Sequence, residues 1–152
     1  MGLLSIMYNW VLPSKSAFLS HFKDNDFLYN SAVSLWASLD SSSIYFMFIL
    51  LFVSFGFVCS YYYVYNKKPG RRYTIKRWTK WLGATAIVTF VATFILGYLL
   101  VSSPLVVERN MLLIGISIVN VVYAIIIYFV ASLIICNIPV PTNAYRFLKI
   151  GE

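Results

Sequence analysis

The chain has 152 residues, of which 61% are hydrophobic and only 11% are charged. Soluble domains carry about 25% charged residues, so a soluble fold of this length could not hide so much apolar surface, and the excess must face lipid. The formal net charge of +7 is concentrated in one segment, which fits membrane topology better than a diffuse nucleic-acid-binding surface. We therefore expect a single, all-α membrane domain over residues 1–152.

The first twelve residues, MGLLSIMYNWVL, contain an apolar run that is too short to span a bilayer. They also lack the basic start and the cleavage site of a signal peptide. The pattern predicts a short amphipathic helix that ends before Pro13. This helix either lies at the membrane interface with Tyr8 and Trp10 as anchors or packs on the chain's own spans. Its apolar face consists of Leu3, Leu4, Met7, Trp10 and Val11.

A polar connector is predicted over residues 14–26, followed by a second amphipathic helix over residues 27–39. Thirteen residues cannot cross a membrane, so we expect this helix to lie on the surface. Asp40 and the three serines that follow are expected to cap the next helix. Residues 1–43 together form the predicted outer amphipathic segment.

The first span is predicted over about residues 44–65, because no charge occurs between Asp40 and Lys67. Four tyrosines end this span. Tyrosine favours the headgroup level, where the ring is half buried and the hydroxyl is wet, so the cluster indicates a membrane boundary. The tyrosines are Tyr61, Tyr62, Tyr63 and Tyr65.

Residues 66–81 form a basic loop that contains seven of the twelve basic residues and no acid. Pro69-Gly70 indicates a turn. Beyond it Arg72, Lys76 and Lys80 align at helical spacing, so the second helix should begin inside the loop. We expect the loop to be cytoplasmic and to contact anionic lipid headgroups or a partner protein. Its basic residues are Lys67, Lys68, Arg71, Arg72, Lys76, Arg77 and Lys80.

The second span, over about residues 82–101, carries a stripe of small residues at intervals of four. Small residues let helix backbones approach closely in lipid, and threonine hydroxyls can bond across the interface. The stripe therefore predicts helix packing, either within the chain or against a second copy. It consists of Thr85, Thr89, Thr93 and Gly97.

A short turn leads to a third span over about residues 111–136, where Asn120 lies near mid-membrane. An amide in hydrocarbon needs a partner. The partner could be a threonine of the second span, a second copy of Asn120, or water in a polar pore. Pro139 and Pro141 then end the helix, and residues 137–152 form an interfacial or partner-binding tail.

The charge rule places the N-terminus outside and the C-terminus in the cytoplasm. Nine of the twelve basic residues then lie inside. Only Lys15, Lys23 and Arg109 lie outside. We expect the cytoplasmic membrane, with the mitochondrial inner membrane as an open alternative.

The predicted spans contain no ionisable Asp, Glu, Lys, Arg or His, and the sequence has no pattern of catalytic residues. We expect no enzymatic activity, no cofactor, no metal and no nucleic-acid partner. Two function classes remain. One is a non-catalytic subunit that anchors or stabilises a larger membrane assembly. The other is a small homo-oligomeric pore former, such as a defence effector or a holin, since holins are similar in size and number of spans.

Overall fold

A computed structural model of the chain describes residues 2–65 and 75–137, and it is helical, with no strand in these ranges. Within them, three helices are long and apolar enough to cross a membrane, which confirms the predicted all-α fold with three spans and makes this a membrane-embedded protein. The helices are α1 (Leu3–Tyr8), α2 (Lys15–Ser20), α3 (Asp26–Cys59), a π-helical segment (Ser60–Tyr65), α4 (Ile75–Leu100) and α5 (Val106–Asn137).

The predicted break between a surface helix over residues 27–39 and the first span is wrong, because α3 runs through it without interruption. The expected capping side chains have other partners. The hydroxyls of Ser41 and Ser43 donate to the carbonyl oxygens of Ser38 and Asp40, at 3.0 and 2.6 Å. With these bonds inside the helix and no Pro or Gly in this stretch, the helix continues. Together, α3 and the π-helical segment that follows it form one 40-residue helix.

A 40-residue helix is about 60 Å long, whereas the hydrocarbon core of a bilayer is about 30 Å thick. An upright helix of this length therefore extends well beyond the hydrocarbon. The first span was expected to begin at about residue 44. In the structure this position is where the charged and serine-rich part of the long helix ends and the uncharged apolar part begins.

The described residues fall into two compact units, of which the first is drawn from Met1–Ile49 and Phe90–Asn120. In it, the segment predicted as the second amphipathic helix forms the first part of α3 and is buried at Ala32, Leu35 and Leu39. Helix α2 lies inside the segment that we predicted as a connector, and its Phe18 ring packs 5.6 Å from the ring of Trp36. These contacts cover the amphipathic half of α3 with the chain's own N-terminal segment.

The second unit is drawn from Leu50–Thr89 and Val121–Glu152 and is centred on aromatic side chains. Tyr61 and Tyr62 are both buried, so the expectation that these tyrosines have wet hydroxyls is wrong, while Tyr63 is exposed. A π-helix has more residues per turn than an α-helix, so adjacent side chains diverge less around the axis. The π-helical segment can therefore direct two consecutive tyrosines into the same cluster.

Candidate functional site

Asn120 lies at the centre of a buried polar network in the first unit. Its Nδ2 donates to Thr93 Oγ1 at 3.1 Å, and its Oδ1 accepts from the hydroxyl of Tyr8 at 2.9 Å. All three residues are fully buried. The hydrogen bond expected with a threonine of the second span is therefore present, and the N-terminal helix supplies a second bond that the sequence did not indicate.

Tyr8 reaches Asn120 because the start of α1 is attached to α3. The backbone N–H of Leu4 donates to Asp40 Oδ1 at 3.1 Å, so a carboxylate from another helix caps the first turn of α1. A Cβ atom at Gly2 would collide with the same carboxylate. Glycine at this position permits the close approach, and Asp40 and Gly2 together fix the helix that carries Tyr8. Of the two placements left open for this helix, the structure has it packed on the chain's own spans.

The four residues of the small-residue stripe on α4 all face protein. Thr85, Thr89 and Thr93 are each fully buried, and Thr85 Oγ1 also donates to the carbonyl oxygen of Trp81 at 2.8 Å. At Gly97, a Cβ atom would collide with the side chain of Leu113 and come within 3.4 Å of Phe46. The stripe therefore faces other helices of the chain.

The structure describes only part of the predicted basic loop. Lys67, Lys68, Arg71 and Arg72 lie outside the described residues, as does the predicted tail after Asn137. Lys76 and Lys80 are exposed on the first turns of α4, and Arg77 is half buried. Helix α4 begins at Ile75, so the second helix does start inside the loop.

The basic start of α4 is attached to the aromatic cluster of the second unit through Trp78. The indole Nε1 donates to Ser132 Oγ at 3.2 Å, and the indole packs edge-on against Tyr128, with 5.5 Å between ring centroids. Trp81 packs on Tyr65 at 5.5 Å. Lys76 and Lys80 thus project from a helix end that is held on one side by buried aromatic packing.

Arg109, which we counted among the basic residues outside the membrane, is buried, with 8% of its surface exposed. Its Nη1 donates to the carbonyl oxygen of Val101 at 3.3 Å, just past the end of α4, where the helix dipole is negative. Its guanidinium carbon lies 4.5 Å from the ring centroid of Tyr98. Arg109 therefore fixes the turn between α4 and α5.

The polar groups at the centre of the Asn120 network are hydroxyls and an amide, which are neutral and suited to packing and hydrogen bonding. No cluster of three or more metal-ligating side chains occurs among the described residues. Comparison of the chain with models of known protein families, with curated proteins and with solved structures found no match. The site must therefore be interpreted from its own geometry.

Proposed function

We propose that this chain is a non-catalytic, multi-pass subunit that anchors and stabilises a larger protein assembly in the cytoplasmic membrane. The observation that carries the proposal is the buried Asn120 network. It joins the polar groups of two spans and the N-terminal helix inside one chain. Each span also exposes large apolar side chains, such as Phe52, Ile87 and Ile126, which offer contact area for other membrane proteins.

The burial of the polar stripe favours a subunit over a pore former. A water-filled lumen needs a continuous polar face that water can reach. Thr85, Thr89, Thr93 and Asn120 are the strongest candidates for such a face, and each is fully buried. A homo-oligomeric pore, whether holin-like or a defence effector, would need this packing to open before polar groups could line it.

In the proposed topology the N-terminus is outside and the C-terminus is cytoplasmic. The basic loop supports this orientation, since Lys and Arg are retained on the cytoplasmic side. Lys76 and Lys80 are exposed at the start of α4, where they can contact anionic headgroups at about 1 kcal/mol for each charge. Reporter fusions at both termini test the orientation, and a cytoplasmic N-terminus would contradict it.

Site-specific photocrosslinking in growing cells tests the proposed role. A crosslinker is placed at the exposed positions Phe52, Ile87 and Ile126, which belong to three different helices, with the buried Leu50 as the matched control. We expect adducts with a different membrane protein from at least one exposed position and none from Leu50. Adducts between copies of this chain alone would contradict a subunit role.

A second measurement separates the two function classes directly. The chain is expressed by itself, and the membrane potential is followed with a dye. A subunit should leave the potential unchanged, whereas rapid depolarisation together with self-adducts would overturn the proposal in favour of a pore.

A further inference from the structure

A groove of about 470 Å³ lies in the first unit, between the start of α5 and the connection from α1 to α2. One wall is formed by exposed aliphatic side chains of α5, namely Met111, Ile114 and Ile118, at helical spacing. The volume lies within the range of about 300–1,000 Å³ that is typical of small-molecule sites. The second wall consists of Val11, Leu12, Pro13 and Phe18.

The environment of the α5 wall decides what kind of molecule can fill the groove. This wall belongs to a helix that is apolar enough to span a membrane. An exposed aliphatic face on such a helix contacts hydrocarbon chains. The opposite wall comes from the N-terminal segment, so an acyl chain in the groove is enclosed by protein on two sides.

Glu108 is the one charged residue among the side chains that line the groove. The neighbouring Arg109 directs its guanidinium to Val101, Asn110 and Tyr98 instead. Glu108 forms no ion pair with any residue that the structure describes. An apolar groove that ends at a single unpaired carboxylate is complementary to a molecule with an acyl chain and a cationic head.

We propose that this groove binds a phospholipid with a primary ammonium headgroup, such as phosphatidylethanolamine, and that Glu108 recognises the ammonium. A primary ammonium donates charge-assisted hydrogen bonds to a carboxylate. The trimethylammonium of phosphatidylcholine has no N–H to donate, and an anionic headgroup is repelled. The carboxylate therefore selects among lipids whose acyl chains are identical.

Native mass spectrometry of the full chain, equilibrated with equimolar dioleoyl-phosphatidylethanolamine, dioleoyl-phosphatidylcholine and dioleoyl-phosphatidylglycerol, tests the proposal. We expect about tenfold more ethanolamine-lipid adduct than choline-lipid adduct, because one additional charge-assisted hydrogen bond can raise the affinity by about that factor. Glu108→Leu leaves no side-chain oxygen to accept from the ammonium and should bring the ratio close to one. Equal amounts of ethanolamine-lipid and choline-lipid adduct on the unaltered protein would overturn the proposal. A preference for phosphatidylglycerol would overturn it as well.

Variants of the α5 wall separate the groove from general lipid contact. Ile114→Trp places a large side chain in the groove and should reduce adducts of both zwitterionic lipids. Ile126→Trp makes the same change at an exposed position of α5 outside the groove and should leave them unchanged. Equal losses in the two variants would show that the adducts are not held in the groove. If the preference for the ethanolamine lipid persists in Glu108→Leu, Glu108 does not recognise the ammonium.

Discussion

Tyr8→Phe removes one hydroxyl from the buried centre of the first unit and leaves the aromatic ring in place. The hydroxyl donates to Asn120 Oδ1 at 2.9 Å, and both residues are fully buried. The variant leaves a buried amide oxygen without this donor. Loss of a buried hydrogen bond costs on the order of 1–3 kcal/mol in soluble proteins and averages about 0.6 kcal/mol within membrane-spanning segments. We expect a loss of about 0.5–2 kcal/mol in the free energy of unfolding, which spans both values.

Tyr128→Phe provides a matched control. Tyr128 is also fully buried, but its hydroxyl has no hydrogen-bond partner among the described residues. Removing it takes away a desolvated polar group at no cost in hydrogen bonds, so the expected change in the free energy of unfolding is close to zero or slightly stabilising. The two variants make the same chemical change and differ in whether a hydrogen bond is lost.

Reversible unfolding in mixed micelles, with increasing mole fraction of dodecyl sulfate, measures both variants. A double-mutant cycle with Asn120→Ala then isolates the pairwise term, since Tyr8→Phe should cost little when its acceptor is already absent. Equal losses in Tyr8→Phe and Tyr128→Phe would refute the reasoning, as would full additivity of Tyr8→Phe with Asn120→Ala.

Three further predictions concern the cap of α1, the turn before α5 and the basic loop. Asp40→Ala removes the carboxylate that caps α1, so backbone amides of residues 3–8 should exchange deuterium faster while those of the long helices keep their rates. Arg109→Lys cannot reproduce the stacking on Tyr98 together with the hydrogen bonds from Nη1 to Val101 and from Nε and Nη2 to Asn110 Oδ1. The free energy of unfolding in the same micelles should fall by about 1–2 kcal/mol. Joint replacement of Arg72, Lys76 and Lys80 by glutamine should weaken binding to anionic vesicles in a flotation assay, with an unchanged helical circular dichroism spectrum.

The long helices could be predicted from the sequence because their signal is local. An uncharged apolar run of about twenty residues must be helical in a membrane, since its backbone groups find no other partner. The stripe from Thr85 to Gly97 is likewise visible in the periodicity of one segment. Asn120 could be identified as needing a partner, because its amide is isolated among apolar residues.

The partners that lie far away in the chain could not be predicted in the same way. Tyr8 and Asn120 are separated by 112 positions, and an amphipathic helix has the same pattern whether it lies at a membrane interface or packs on other helices. The break before residue 44 was predicted from side chains that can cap a helix. Ser41 and Ser43 can equally donate to carbonyls of a continuing helix. Asp40 instead accepts a hydrogen bond from the backbone of α1, which only the three-dimensional position of α1 reveals.

Arg109 illustrates why this difference matters for the proposed function. A sequence identifies polar groups that need partners but does not say whether those partners belong to the same chain. Arg109 and Asn120 both find theirs within the first unit. Few strong polar groups of the spans then remain to recognise another protein. In the proposed assembly, association within the membrane would therefore rely on the shape of exposed apolar faces, where packing rather than hydrogen bonding supplies the specificity. Substitutions that change the volume of an exposed side chain, such as Phe52→Ala, should accordingly disturb assembly more than substitutions that change its polarity at constant size.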